Sequence, residues 1–333
     1  MNKRKTSQDI ARLAGVSQST VSRIIRGLPN VKAETRDRVR AVIAQYAYSP
    51  NAAARAMKAN RNGYVAVVVE NLTNPLYPAL LQFLVGTLAK RGFQAIIWET
   101  QAELNDIGAR AIAESPVDGV IFTTSNDSSI LQNRIIANSK PVILMNRSFS
   151  TSIFDTVVSD NYAGGAMVAR HFIEGSRRRI ALLTGNSKAS TIKQRGAGFL
   201  NALDGSGYKH KCIRSSSDFT LFTYENGYRT GSELFARHPD IDALFCTTDI
   251  IAIGALDAAR SLGKAIPSDL WIAGYDDIPM AGWDAIRLTT VRQPLESMAR
   301  LVVERLSARM GEPDLPPYTV TLTNDLIVRA TTR

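Results

Sequence analysis

From Tyr64 onward the chain repeats itself, and this internal echo restricts its fold more than any other feature. YVAVVV, a loop, a helical pattern and RGFQAII in the first half correspond to RIALLTG, a loop, a helical pattern and SGYKHKC in the second. VDGVIFTTS at 117–125 is echoed by IDALFCTTD at 241–249, and PVILMNR by DLWIAGYDD. Strands that are apolar throughout, instead of alternating, are buried on both faces and belong to parallel sheets covered by helices. Two doubly wound α/β lobes in tandem are the simplest account. The expected strands are 64–69, 94–98, 119–123, 142–145, 179–184, 243–247 and 270–274. Helices are expected at 77–91, 164–174, 195–203 and 250–262.

The first fifth of the chain is different in kind. Through Arg61 it carries thirteen Lys and Arg against three acids, whereas the remainder balances at 27 of each, so the net charge of +10 resides in this segment. Counterion release and Coulomb attraction make a polyanion its natural partner. Within it, Thr6 to Arg26 (TSQDIARLAGVSQSTVSRIIR) reads as two short helices joined by a tight corner. Thr6 with Asp9 resembles a capping box, and Ile10, Ala11, Leu13 and Ala14 form an apolar face. Gly15 can take the positive φ that closes the corner, Val16 plugs it, and Ser17 caps the second helix. There Val21, Ile24 and Ile25 face inward, leaving Gln18, Ser19, Ser22 and Arg23 to meet base edges. A helix-turn-helix follows from this pattern together with the localised charge. A third helix, about 33–45, packs Val39, Val42 and Ile43 on the first two, and Tyr46 and Tyr48 close the core. Ser49-Pro50-Asn51 then precedes an Ala-rich segment through Lys58, which by its own residues reads equally as a fraying linker.

The string from DIARLAGVSQSTVSRIIRG through YSPNAAARAM resembles the lactose-repressor (LacI/GalR) family of bacterial transcription regulators, and the resemblance continues over nearly the whole chain. It implies an α/β protein with an N-terminal helix-turn-helix headpiece and two doubly wound parallel α/β lobes, periplasmic-binding-protein-like. The expected headpiece is 1–48 and the hinge helix 49–61. The effector-binding and dimerisation domain is 62–333, its N-lobe 62–159 with 293–320 and its C-lobe 161–291 with 322–333. Crossings between lobes are expected near 159–162, 289–293 and 319–325. By resemblance the second helix enters the major groove. Gln18, Ser19 and Arg23 read bases there, while Thr20 and Ser22 touch phosphate and set register. Thr6, Ser17, Asn30, Asn51 and Ala54 complete the DNA-binding set, with Met57 as the minor-groove wedge where most members have Leu.

Ligands of such sheets gather at the carboxyl ends of the strands. These ends bring Asn71 and Asn74, Thr124 and Ser125, Asn146 and Arg147, Thr248 and Asp249, and Asp276 and Asp277, with Asp160-Asn161 where the chain crosses. A strand-end Asp or Asn caps the following helix as readily as it holds a ligand; convergence from two lobes favours a site for a hydroxyl-rich molecule. The resemblance implies that Arg195 and Asp276 contact the effector and that Tyr77 lines the N-lobe wall. Phe219 stacks on the ligand face, with Phe222 as its rival in a longer loop, FTLFTYENG. Asn146, Asp160, Asp249 and Gln293 are further ligand candidates.

Enzymatic chemistry has little support. Neither GxGxxG after the first strand nor GxxxxGK[ST] occurs, and His171, His210 and His238 are scattered without metal spacing. Cys212 and Cys246 imply free thiols. MNKRKTSQD has no apolar core of an export signal and no run reaches membrane-spanning length, so a cytoplasmic protein is expected, without cofactor or membrane partner. The expected partners are operator DNA, a sugar-like effector and a second copy of the chain. A pure solute-binding protein is the second reading; it would need an export signal and no basic headpiece. The sequence leaves open the identity of the effector, whether it releases or strengthens DNA binding, and the operator sequence.

Overall fold

A computed structural model describes residues 5–25, 27–29, 31–48, 61–69, 71–99, 114–123, 140–148, 153–185, 189–207, 211–215 and 221–333. They belong to two compact units, Met1–Gly63 and Tyr64–Arg333.

In the first unit, helices α1 (Ser7–Leu13), α2 (Gln18–Ile25) and α3 (Ala33–Gln45) enclose a small core of Ile10, Ala11, Ala14, Val21, Ile24 and Val39. The capping box is present: the Thr6 hydroxyl accepts from the Asp9 amide, and the Asp9 carboxylate accepts from the Thr6 amide at 2.9 Å. That backbone hydrogen bond is the chief reason the Asp9 carboxyl lies below its ordinary range. Gly15, at φ +64°, turns the corner. Arg38 of α3 donates to the Ala14 carbonyl at 3.0 Å and satisfies an end of α1. Two expected core residues lie outside. Ile10, Ala11 and Ala14 share an arc of about 100° on the helix wheel, and Leu13 falls about 60° beyond it; it is 45% exposed. Tyr46, 40% exposed, sits beyond the last turn of α3 with the Lys5 ammonium 5.6 Å over its ring. Tyr48 does pack on the core.

The second unit begins β1 (Tyr64–Val69), α4 (Leu76–Lys90), β2 (Gln94–Glu99), β3 (Gly119–Phe122), β4 (Val142–Met145) and β5 (Asp155–Ser159). There follow α5 (Asn161–Glu174), β6 (Arg179–Leu183), α6 (Ser190–Gly205), β7 (Lys211–Ser215), α7 (Tyr224–Arg237), β8 (Ala243–Cys246) and α8 (Asp249–Ser261). The last elements are β9 (Trp271–Asp276), β10 (Thr289–Arg292), α9 (Leu295–Gly311), β11 (Thr319–Leu322) and β12 (Asp325–Ile327). Two six-stranded sheets result, ordered β2-β1-β3-β4-β5-β11 and β7-β6-β8-β9-β10-β12. The identical order is the structural form of the sequence echo. All pairings are parallel except β12 against β10.

Each lobe is completed by a segment from the far end of the chain. The chain leaves the first sheet after Ser159, returns between β10 and α9, and crosses again between Leu322 and Asp325. α9 buries Leu295, Met298, Ala299, Val302, Val303 and Leu306 as an apolar stripe at helical spacing. Several elements differ from expectation. α6 starts five residues before Arg195, and α7 starts at Tyr224, capped by the Thr223 hydroxyl, so half of the expected loop FTLFTYENG is helix. The last strand ends at Ile327, and Ala330–Thr332 turns as a short 3-10 helix whose buried threonines bond to Thr289.

Candidate functional site

On the headpiece, α2 buries Val21 and Ile24 and presents the opposite face. Gln18, Ser19 and Arg23 are exposed there, with Thr20 and Ser22 half-buried. The Arg23 side chain makes no ion pair or hydrogen bond among the described residues. The small hydroxyls are otherwise engaged. Ser17 Oγ lies 2.8 Å from Ser19 Oγ and 2.9 Å from Thr20 Oγ1 and accepts from the Thr20 amide, a cap that fixes the start of α2. Gln18 Nε2 donates to Ser7 Oγ at 2.7 Å, and the Thr6 hydroxyl donates to Asp9. Asn30, Asn51, Ala54 and Met57 lie outside the described residues.

The second constellation is built where the carboxyl ends of the two sheets meet. Arg195, one turn into α6, is almost wholly buried. Its Nε donates to Asn161 Oδ1 at 2.8 Å, and its Nη1 donates to the Thr247 carbonyl at 2.8 Å and pairs with Asp276 Oδ1 at 3.0 Å. Beneath it lies the Tyr275 ring, 3.7 Å from the guanidinium carbon. Asp276 also accepts from Gln293 Nε2 at 2.8 Å, and Gln293 Oε1 accepts from Ser159 Oγ at 2.8 Å. Residues from β5, β9, α6 and the β10–α9 crossing therefore share one hydrogen-bonded chain.

Close helix packing holds this geometry. A Cβ at Gly165 would lie 2.0 Å from the Arg195 carbonyl oxygen, and one at Gly198 would lie 1.9 Å from that of Tyr162, so α5 and α6 touch backbone to backbone. On the N-lobe side, Arg147 follows β4. It donates from Nη1 to Thr191 Oγ1 of the C-lobe and more weakly, at 3.5 Å, from Nη2 to the Tyr77 hydroxyl. Asn146 has φ +63°, and both of its buried side-chain polar atoms lack a protein partner, as do the Thr247 and Thr248 hydroxyls.

Other expected site residues have structural work. Asp160 caps α5, accepting from the Ala163 amide at 2.8 Å. Asp249 accepts from the Ile278 amide at 2.9 Å and the Thr290 hydroxyl at 2.5 Å, bracing the turn after Asp276. Its full burial, then the neighbouring Asp276 charge, push its carboxyl up to about 8. The turn is further held by Asp277, φ +53°, between Arg292 at 2.6 Å and Arg329 at 2.7 Å. Phe222 is half-buried against the core, and Phe219 lies outside the described residues. His171 bonds to Thr332 and stacks on Trp271. Among the described residues no helix is long and apolar enough to cross a membrane.

Sequence reasoning placed Asn161 at the crossing but missed Thr191, Tyr275, Ser159 and Asn324. One signal was present for Thr191: it stands four residues before Arg195, on the same helix face. The contacts of Ser159 and Asn324 depend on which strands end side by side, which the local pattern does not reveal.

Two family models match parts of the chain. A family model described as "Bacterial regulatory proteins, lacI family" matches residues 6–51, and one described as "Periplasmic binding protein-like domain" matches residues 169–332. The HTH-type transcriptional regulator CelR of Thermobifida fusca is 32% identical, covering 93% of this chain and 94% of its own. The ribose operon repressor of Haemophilus influenzae is 30% identical, covering 97% of each. The solved complex of the transcriptional regulator CelR with cellobiose superposes with a TM-score of 0.73 at 28% identity, covering 98% of this chain and 100% of that one.

Proposed function

The chain belongs to the lacI family of bacterial regulatory proteins, and from that premise we propose that it is a cytoplasmic, homodimeric repressor that reads DNA with α2 and responds to a polar small molecule held between Arg195, Asp276, Gln293 and Tyr77. In this reading residues 1–48 are the headpiece, 49–61 the hinge and 62–333 the effector domain. The observation that carries the DNA half is Arg23, exposed and uncommitted on the polar face of α2 in a segment that holds the chain's entire net charge. Ser17 and Thr20 hold the helix in register, and Gln18, Ser19 and Arg23 meet base edges.

The effector half is supported by a buried ion pair joined to two of the interlobe crossings, with orphaned polar groups beside it. A ligand that hydrogen-bonds to both lobes changes operator affinity only through its different affinity for the two lobe arrangements. CelR, solved with cellobiose, and the ribose repressor of Haemophilus influenzae make a carbohydrate skeleton the first class to screen.

The test is selection of a site from random duplexes by the full chain, followed by affinity measurements on that site and on scrambled DNA. A near-palindrome of roughly two helical turns is expected. Arg23→Ala should cost about 1–3 kcal/mol on the selected site and relax its sequence preference. Equal affinity of the unmodified protein for selected and scrambled DNA at physiological salt would overturn the reading.

A further inference from the structure

Arg147 carries a positive charge that no carboxylate among the described residues pairs with directly, although the Asp276 carboxylate feels it through space. It is only 9% exposed, and its guanidinium donates to three neutral oxygens: Thr191 Oγ1, the Tyr77 hydroxyl and the Asn146 carbonyl. Among the described residues no carboxylate forms an ion pair with it. The carboxylates at neighbouring strand ends are already committed. Asp276 serves Arg195 and Gln293, Asp249 serves Ile278 and Thr290, Asp277 serves Arg292 and Arg329, and Asp160 caps α5. A guanidinium withdrawn from water without a directly bonded counter-charge is costly.

Thr191 lies in the first turn of α6, a helix of sixteen residues, so the Arg147 guanidinium stands at the positive end of the helix dipole. That end has no side-chain cap, since its N-cap is Ala189, and no acid occupies its first turn. Beside Arg147, the Asn146 carboxamide is fully buried with neither polar atom bonded to protein. A guanidinium, two hydroxyls and a helix N-terminus thus converge, with a buried, unbonded carboxamide on the adjoining residue. This is a donor set for an anion with several oxygens, richer than a planar carboxylate can use.

We propose that this corner is a phosphate subsite and that the effector is a small phosphorylated polyol, its hydroxyls directed to Asp276, Gln293 and the unpartnered Thr248. The inference rests on the reading of the lobe junction as the effector site.

Thermal unfolding of the full chain tests it, with inorganic phosphate and D-ribose 5-phosphate compared with chloride and D-ribose at matched ionic strength. A phosphate-bearing probe should raise the melting temperature saturably. Arg147→Gln should weaken that response about tenfold or more, with Arg147→Lys retaining part of it and Thr191→Val losing a few-fold. No saturable response to either phosphate probe would overturn the proposal. A response unchanged in Arg147→Gln would also overturn it, placing the anion elsewhere, as on the basic headpiece. Stabilisation by D-ribose or cellobiose without any by phosphate would refute the phosphate subsite while leaving the effector reading intact.

Discussion

Asn324 donates from one amide nitrogen to two acceptors, the Asp160 carbonyl at 2.7 Å and the Tyr275 phenol oxygen at 3.0 Å. The last crossing between the lobes is thereby tied to the first, and to the aromatic ring on which Arg195 lies. A shift of Arg195 is therefore felt at two crossings through a single phenol. Little slack is available, since a Cβ at Gly164 would stand 2.3 Å from the same phenol oxygen.

Tyr275→Phe keeps the ring beneath Arg195 and removes only the hydroxyl. Asn324 then loses an acceptor, and stability should fall by about 1 kcal/mol. A urea titration reads this as a lower midpoint at unchanged slope. An unaltered midpoint would mean the bond contributes nothing.

The Arg195–Asp276 pair should behave as a unit. Either Arg195→Ala or Asp276→Ala strands a buried charge and should cost about 3–5 kcal/mol, whereas the double variant should cost less than the sum. Additive losses in a double-mutant cycle would show that the two are not coupled.

Asp249 makes the stability of the effector domain depend on pH. Its folded carboxyl titrates at about 8, above its unfolded value of 3.8. The folded state therefore holds the proton more tightly, and the resulting stability is complete below pH 3.8 and lost as pH rises through about 8. Asp249→Asn should flatten that decline, by at most about 1.4 kcal/mol per pH unit. Identical pH slopes for the two proteins between pH 6 and 8 would contradict the assignment.

Glycines make a paired comparison. Gly165→Ala must separate α5 from α6, costing about 1–3 kcal/mol and moving Arg195, so ligand affinity should fall along with the melting temperature. Gly86→Ala, in mid-α4 with open space around it, should instead stabilise by roughly 0.5–1 kcal/mol. Equal effects from both would remove the packing argument.

Much of this was readable beforehand for a physical reason. Val67, Ile121, Leu182 and Phe245 sit in strands whose neighbours are apolar on both sides, so the tandem sheets announce themselves locally. Gly15 and the Thr6–Asp9 box are equally local, since a corner and a cap involve residues three or four apart. By contrast, β5 (DTVVS) and β10 (TTVR) mix polar and apolar residues because they lie next to the crossings. Asp249 looked like a ligand group because a strand-end carboxylate is chemically the same whether it faces a ligand or a backbone amide. Its two bonds, to Ile278 and Thr290, join positions 29 and 41 residues away.

The triple crossing also bears on how the protein is made. The first sheet has no β11, and its core no α9, until nearly the whole chain has left the ribosome. Until Leu295, Met298, Val302 and Leu306 arrive, the apolar groups they cover stay open to solvent. Neither lobe can therefore mature as an independent module during synthesis, and a chain truncated anywhere before β11 leaves both unfinished.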